Sequence, residues 1–224
     1  MASHPYYPQS LIISHYAAYP YDLTQLLTVF FGVVAIVLVA SIVIISIARP
    51  TSNLGYRLAF VWFVGTASVH LFVEGYVAYF HKDIAGMDTF MANIWKEYAL
   101  SDSRYLVSDP FVIIMETITA FAWGPLCYVI AFLYLIRSPL RHPLLILVGT
   151  GQVYGDVLYY WTTFFEGKGS ALSCHPHPYY FWFYFVFLNS IWIVVPSILI
   201  ANSFRVIVSG LSQIDAADKK KKSK

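Results

Sequence analysis

His70 and Glu74 stand four residues apart in SVHLFVEGY, residues 68–76. On a helix, positions four apart share a face, so this imidazole and carboxyl can enter one cavity or hydrogen-bond each other. A second carboxyl, Glu116, is followed three residues later by Thr119, and Asn189 by Trp192 at the same spacing. Removal from water penalises a carboxylate, and a second one nearby penalises it again. One of Glu74 and Glu116 is therefore expected to keep its proton at neutral pH and act as an acid. A neutral imidazole can accept a proton, and the face of Trp192 can stabilise a cation formed between the two events. That set suits acid–base chemistry on an apolar substrate.

Other readings compete for the same residues. Histidine and glutamate on neighbouring helices can bind iron, but di-iron sites in helix bundles repeat a Glu-x-x-His motif. That motif is missing here, so no metal is expected. Thr119 and Asn189 serve equally as polar glue between helices or as ligand contacts. Asp156 reads best as a group that bonds neighbouring side chains, with Gln152 one turn before it and Tyr159 nearby as partners.

The elements that must position these groups are membrane spans. Of 224 residues, 58% are hydrophobic and 12% charged, against about 25% charged in an ordinary soluble domain. The apolar residues fall into five blocks, each near the roughly 20 residues that cross a bilayer: 26–48, 58–80, 110–136, 144–165 and 180–204. None alternates with the period of a membrane barrel. The expected fold is all-α, a polytopic bundle of five transmembrane helices around an intramembrane ligand pocket. The first block has no basic residue before it and exceeds a signal-peptide core, so it is expected to be retained. The other four blocks, within 58–204, form the expected catalytic core.

Charge sets the expected orientation. Arg49, Arg57, Arg137 and Arg141 share one side with Arg205 and the lysines of the terminal KKKKSK, against Lys82, Lys96, Arg104 and Lys168 on the other. The basic tail, 205–224, is thus cytosolic, and the segment 1–25 lies outside or in a lumen. The tail reads as a solvated end touching anionic lipid, and KKSK also fits a dilysine address for retrieval to the endoplasmic reticulum. No nucleic-acid partner is expected.

At about 1.5 Å per residue, Glu74 and Glu116 sit roughly 9 Å from the lumenal ends of their spans. His70, Thr119, Asp156, Asn189 and Trp192 sit at roughly 13 to 18 Å, so they can meet at a common depth. The lumenal loop 81–109 contains WKEYALSDSRY, too aromatic and too mixed in charge for a disordered linker. Asp102, Arg104 and Asp109 read as a folded loop rather than a charged lid. Cys127 lies inside a span and Cys174 in a loop, so no disulfide joins them in this reading.

The stretches HLFVEGY, WKEYALSDSRY, METITAFAWGPL, GQVYGDVLYY and YYFWFYFVFLNSIWIVVPS, in this order over about 58–200, resemble the emopamil-binding protein family. That family comprises sterol Δ8-Δ7 isomerases and includes the sigma-two receptor in its wider membership. The resemblance implies a five-helix protein of the endoplasmic reticulum membrane, a homodimer, with no metal and no redox cofactor. It implies protonation of a Δ8 alkene at C9, a carbocation at C8 and loss of a proton from C7. Carried over residue by residue, the family's site falls on His70, Glu74, Glu116, Thr119, Asn189 and Trp192. The resemblance implies that Glu74, Glu116 and His70 handle the protons; the four-residue spacing of His70 and Glu74 favours Glu116 as the donor, His70 as the base and Glu74 as its orienting partner, with Glu74 the alternative acid. Trp192 faces the cation, which amphiphilic amines would mimic as inhibitors. A non-catalytic binder of sterols or cationic amphiphiles is the alternative.

Overall fold

The computed structural model describes residues 4–165 and 173–223. Lys168 and Lys224, both used above to orient the chain, lie outside them. Among the described residues the chain is helical, with no strand.

α1 spans Leu23–Ala48. A second rod runs from Leu54 to Phe80 as α2 (Leu54–Ser68), a π-helical stretch (Val69–Glu74) and α3 (Gly75–Phe80). After α4 (Phe90–Tyr98) and a 3₁₀ turn (Ser103–Leu106), a third rod comprises α5 (Pro110–Ile118), a π stretch (Thr119–Trp123) and α6 (Gly124–Leu135). α7 covers Arg141–Phe165. The last rod joins a π stretch (Tyr180–Leu188) to α8 (Asn189–Lys222).

Helix ends follow local chemistry. Asp22, Asn53, Thr89 and Asp109 each accept a backbone N–H of the turn that follows, satisfying donors that a helix start leaves free. Pro110 occupies the first turn of α5, where a missing N–H costs nothing. At the far end of that rod Arg137 takes φ 55°. Its N–H donates to the Tyr134 carbonyl at 3.3 Å and that of Ser138 to Leu133 at 3.0 Å. This is a Schellman closure with arginine where glycine is usual.

Among the described residues, four helices are long and apolar enough to cross a membrane: Leu23–Ala48, Leu54–Phe80, Pro110–Leu135 and Tyr180–Lys222. α7 has 25 residues but falls outside that set. α7 packs along α8, α2 along α6, and α1 along α2. Gly149 of α7 lets Ile200 and Pro196 of α8 close in.

Two apolar clusters divide the bundle. One joins Val77, Trp95, Tyr105, Val112, Tyr159 and Phe185. The other joins Phe63, Ile130, Tyr134, Leu145 and Val148. The second and third rods and α7 enter both clusters, the last rod enters the first and packs Leu199 and Ile200 against the second, and each carries its candidate residues between the two contacts.

Residues 81–109 are folded, as expected. Arg104 and Asp102 form a buried ion pair, with Nη2 2.7 Å from Oδ2, and the guanidinium lies 5.1 Å over the Tyr159 ring. The segment before α1 closes over this loop. Tyr6 is fully buried and donates to the Lys96 carbonyl at 3.1 Å, Ser103 donates to the Tyr7 carbonyl at 2.6 Å, and Lys96 Nζ donates to the Ala17 carbonyl at 2.8 Å. Nothing in the residue pattern announced that closure. At the other terminus the basic tail is the exposed, still helical end of α8.

Candidate active site

A cavity of about 860 Å³ lies between the rods, and His70, Glu74, Glu116, Thr119, Asn189 and Trp192 all line it. Each residue sits in or beside a π-helical stretch. His70 and Glu74 lie within the first, Thr119 opens the second one turn after Glu116, and Asn189 and Trp192 follow the third.

A π turn holds an extra residue and disturbs the helical hydrogen-bond ladder, so carbonyls there need partners from outside. Trp95 Nε1 donates to the Val73 carbonyl at 2.9 Å. Tyr160 donates to the Val186 carbonyl at 2.6 Å. Asn189 Nδ2 donates to the Phe185 carbonyl at 2.7 Å and reaches Tyr98 Oη at 2.9 Å. Of the two roles open to Asn189, the contacts here are those of polar glue, and through them it fixes Tyr98 on the cavity wall.

The first two π stretches touch each other closely. A Cβ on Gly124 would lie 3.3 Å from both His70 Cβ and Leu71 N. Glycine at that position sets how near the His70 turn comes to the third rod.

His70 is held from two sides. Its Nδ1 is 2.6 Å from Glu74 Oε2, and its Nε2 is 2.9 Å from Gln152 Nε2 of α7. With the Gln152 amide donating, Nε2 carries the lone pair and Nδ1 the proton, directed at the Glu74 carboxylate. The His70 side chain is 2% exposed and that of Glu74 15%, so Glu74 is the member of the pair open to the cavity. The Trp192 ring centre lies 6.2 Å from that of His70 and 5.9 Å from that of Trp62.

Glu116 is buried and accepts a hydrogen bond from Tyr105 Oη at 2.7 Å. Burial pushes the Tyr105 phenol well above its ordinary pKa, so Tyr105 remains a donor. Thr119 is half-buried on the cavity wall.

Sequence reasoning gave no site role to Gln152, Tyr105 and Tyr98. The signals were present: Gln152 lies one turn from Asp156 in GQVYGD, and both tyrosines belong to WKEYALSDSRY. The partners expected for Asp156 need correcting. Gln152 turns to His70 instead, and Asp156 Oδ2 and Tyr159 Oη have no hydrogen-bond partner among the described residues. The Gln152 amide points across to the second rod, where His70 Nε2 lies 2.9 Å away.

Residues 90–203 match the model of EXPERA, the expanded EBP superfamily. Over 222 residues the chain is 37% identical to the 3-beta-hydroxysteroid-Delta(8),Delta(7)-isomerase of Mus musculus, covering 99% of this chain and 96% of that one. This chain belongs to the EBP family. The isomerase of Cavia porcellus is 36% identical over 223 residues, with the same coverage. Isomeliandiol synthase ISM1 of Ailanthus altissima is 34% identical over 174 residues, 76% of this chain and 79% of that one.

Proposed function

We propose that the protein is a sterol Δ8-Δ7 isomerase, and that the cavity binds the sterol with C7, C8 and C9 against Glu74, Glu116 and Trp192. The observation that carries this reading is near-full-length similarity to named Δ8,Δ7-isomerases together with an acid, a His–Glu pair and an aromatic face on one cavity.

In this mechanism Glu116 is the donor and the His70–Glu74 pair is the base. Glu116 gives its proton to C9, and the C8–C9 π electrons form that C–H bond, leaving the cation at C8. The pair then takes the C7 proton, and the C7–H electrons become the C7–C8 double bond. Both nitrogens of His70 are engaged, so the oxygen of Glu74 that faces the cavity is the atom that reaches C7, with His70 holding that carboxylate in place. The proton returns to Glu116 before the next turnover. The C8 cation has no water around it, so the Glu74 carboxylate and the Trp192 face supply its stabilisation. The same arrangement favours amphiphilic amines, whose ammonium resembles the cation.

The setting is an endoplasmic reticulum membrane, with the N-terminus lumenal, the lysine-rich end of α8 cytosolic and the chain paired with a second copy. α7 is the fifth span: at about 1.5 Å per residue its 25 residues are long enough, and its lower apolarity reflects Gln152 and Asp156, which face the cavity rather than lipid. No metal or redox cofactor takes part.

The test is complementation. Expressed in cells lacking Δ8-Δ7 isomerase activity, the chain is expected to convert accumulated Δ8 sterols to Δ7 sterols. Stable, membrane-inserted protein with undiminished Δ8 sterols would overturn the reading in favour of a non-catalytic sterol or amphiphile binder.

A further inference from the structure

Asp156 is a carboxyl group on the wall of a mostly apolar cavity, with an oxygen that is buried and has no hydrogen-bond partner among the described residues. The mechanism above makes no use of it. A polar group removed from water without a partner is costly, and in a membrane-spanning segment no bulk solvent relieves it. Its position is also defined. Asp156 follows Gln152 by four residues on α7, one turn or about 6 Å along the axis, and Gln152 touches His70 at 2.9 Å.

We propose that Asp156 is the subsite for the substrate's C3 hydroxyl, accepting its hydrogen bond. A Δ8 sterol has one hydroxyl, on ring A. Fused rings A and B hold it several bonds from the C8–C9 double bond, so it meets the wall apart from the groups that move the protons. With C8 and C9 beside Glu74 and Glu116 on the second and third rods, Asp156 offers that hydroxyl an acceptor on the α7 side of the same cavity. The carboxyl then gains the donor it lacks, and the hydroxyl gains an acceptor in a cavity whose walls are otherwise mostly hydrocarbon. The subsite therefore fixes the end-to-end orientation of the sterol, which a flat apolar skeleton alone does not.

This inference rests on the sterol isomerase reading, and its test separates the two. Purified wild type, Asp156→Leu and Asp156→Asn are assayed with a Δ8 cholestenol and with the same Δ8 skeleton lacking the C3 hydroxyl. Wild type is expected to prefer the hydroxylated substrate by roughly 10- to 100-fold in kcat/KM, the range for a hydrogen bond to a charged group. Asp156→Leu is expected to bring that preference close to one while turning over the deoxy substrate at near the wild-type rate. Asp156→Asn, which keeps an acceptor, is expected to fall between. Deoxy turnover reports that the variant is folded and its chemistry intact. Retention of the full preference in Asp156→Leu overturns the subsite, as does equal loss of both substrates in Asp156→Leu and Asp156→Asn. Failure of wild type to convert either substrate overturns the isomerase reading instead.

Discussion

Replacing Gln152 with methionine removes a hydrogen bond while nearly conserving side-chain shape. In the wild type the amide lies 2.9 Å from His70 Nε2, and Gln152 is itself buried. Without it, Nε2 is left as a buried acceptor with no partner, and the imidazole loses one of the two contacts that fix its ring and tautomer. Leaving such a group unsatisfied costs about 1 to 3 kcal/mol. If that cost falls on the geometry of the His70–Glu74 pair during proton transfer, kcat drops by roughly 5- to 150-fold. KM should change little, because Glu74, Glu116 and Trp192 still line the cavity. The assay is steady-state conversion of a Δ8 sterol by purified protein, with binding of an amphiphilic amine as a check on the pocket. Wild-type kcat in Gln152→Met would refute the positioning role, as would a rise in KM with kcat unchanged.

The remaining predictions concern groups around the same cavity. Tyr105→Phe removes the 2.7 Å donor to Glu116 and is expected to lower turnover roughly tenfold, the upper scale of a single uncharged hydrogen bond. Because the Tyr105 pKa is raised well above 10, the phenol stays protonated from pH 6 to pH 10, so the ratio of variant to wild-type activity should stay flat there; a ratio that changes with pH contradicts this. Asp102→Asn leaves Arg104 as a buried, unpaired cation and is expected to cost about 3 to 5 kcal/mol of stability, read as a lower thermal midpoint; an unchanged midpoint contradicts it. Gly124→Ala sets a methyl 3.3 Å from Leu71 N and His70 Cβ and should reduce kcat by displacing the His70 turn, with the protein still folded; wild-type kcat would show that the contact relaxes elsewhere.

The helical architecture and the meeting of His70, Glu74 and Glu116 were legible because intramembrane charges are few and helical spacing is regular. The π turns were not. The hydrophobic pattern around His70 reads as an ordinary α-helix, and the extra residue per turn is held by partners remote in sequence, such as Trp95 on the Val73 carbonyl. Gln152 was assigned to Asp156 because proximity along α7 was visible, whereas its approach to His70 from another rod was not. The closing of residues 4–22 over the loop depends on backbone carbonyls of Lys96, Tyr7 and Ala17. Every residue type offers that group, so it leaves no mark in a sequence.

The most direct test of the central claim is conversion of a Δ8 sterol by purified wild-type protein in lipid nanodiscs, with no added cofactor, alongside Glu74→Gln and Glu116→Gln. The account predicts a Δ7 product from wild type and near-complete loss in both variants, which should still bind the sterol. Sterol binding without Δ7 product in wild type, or near-normal turnover in Glu116→Gln, would contradict it.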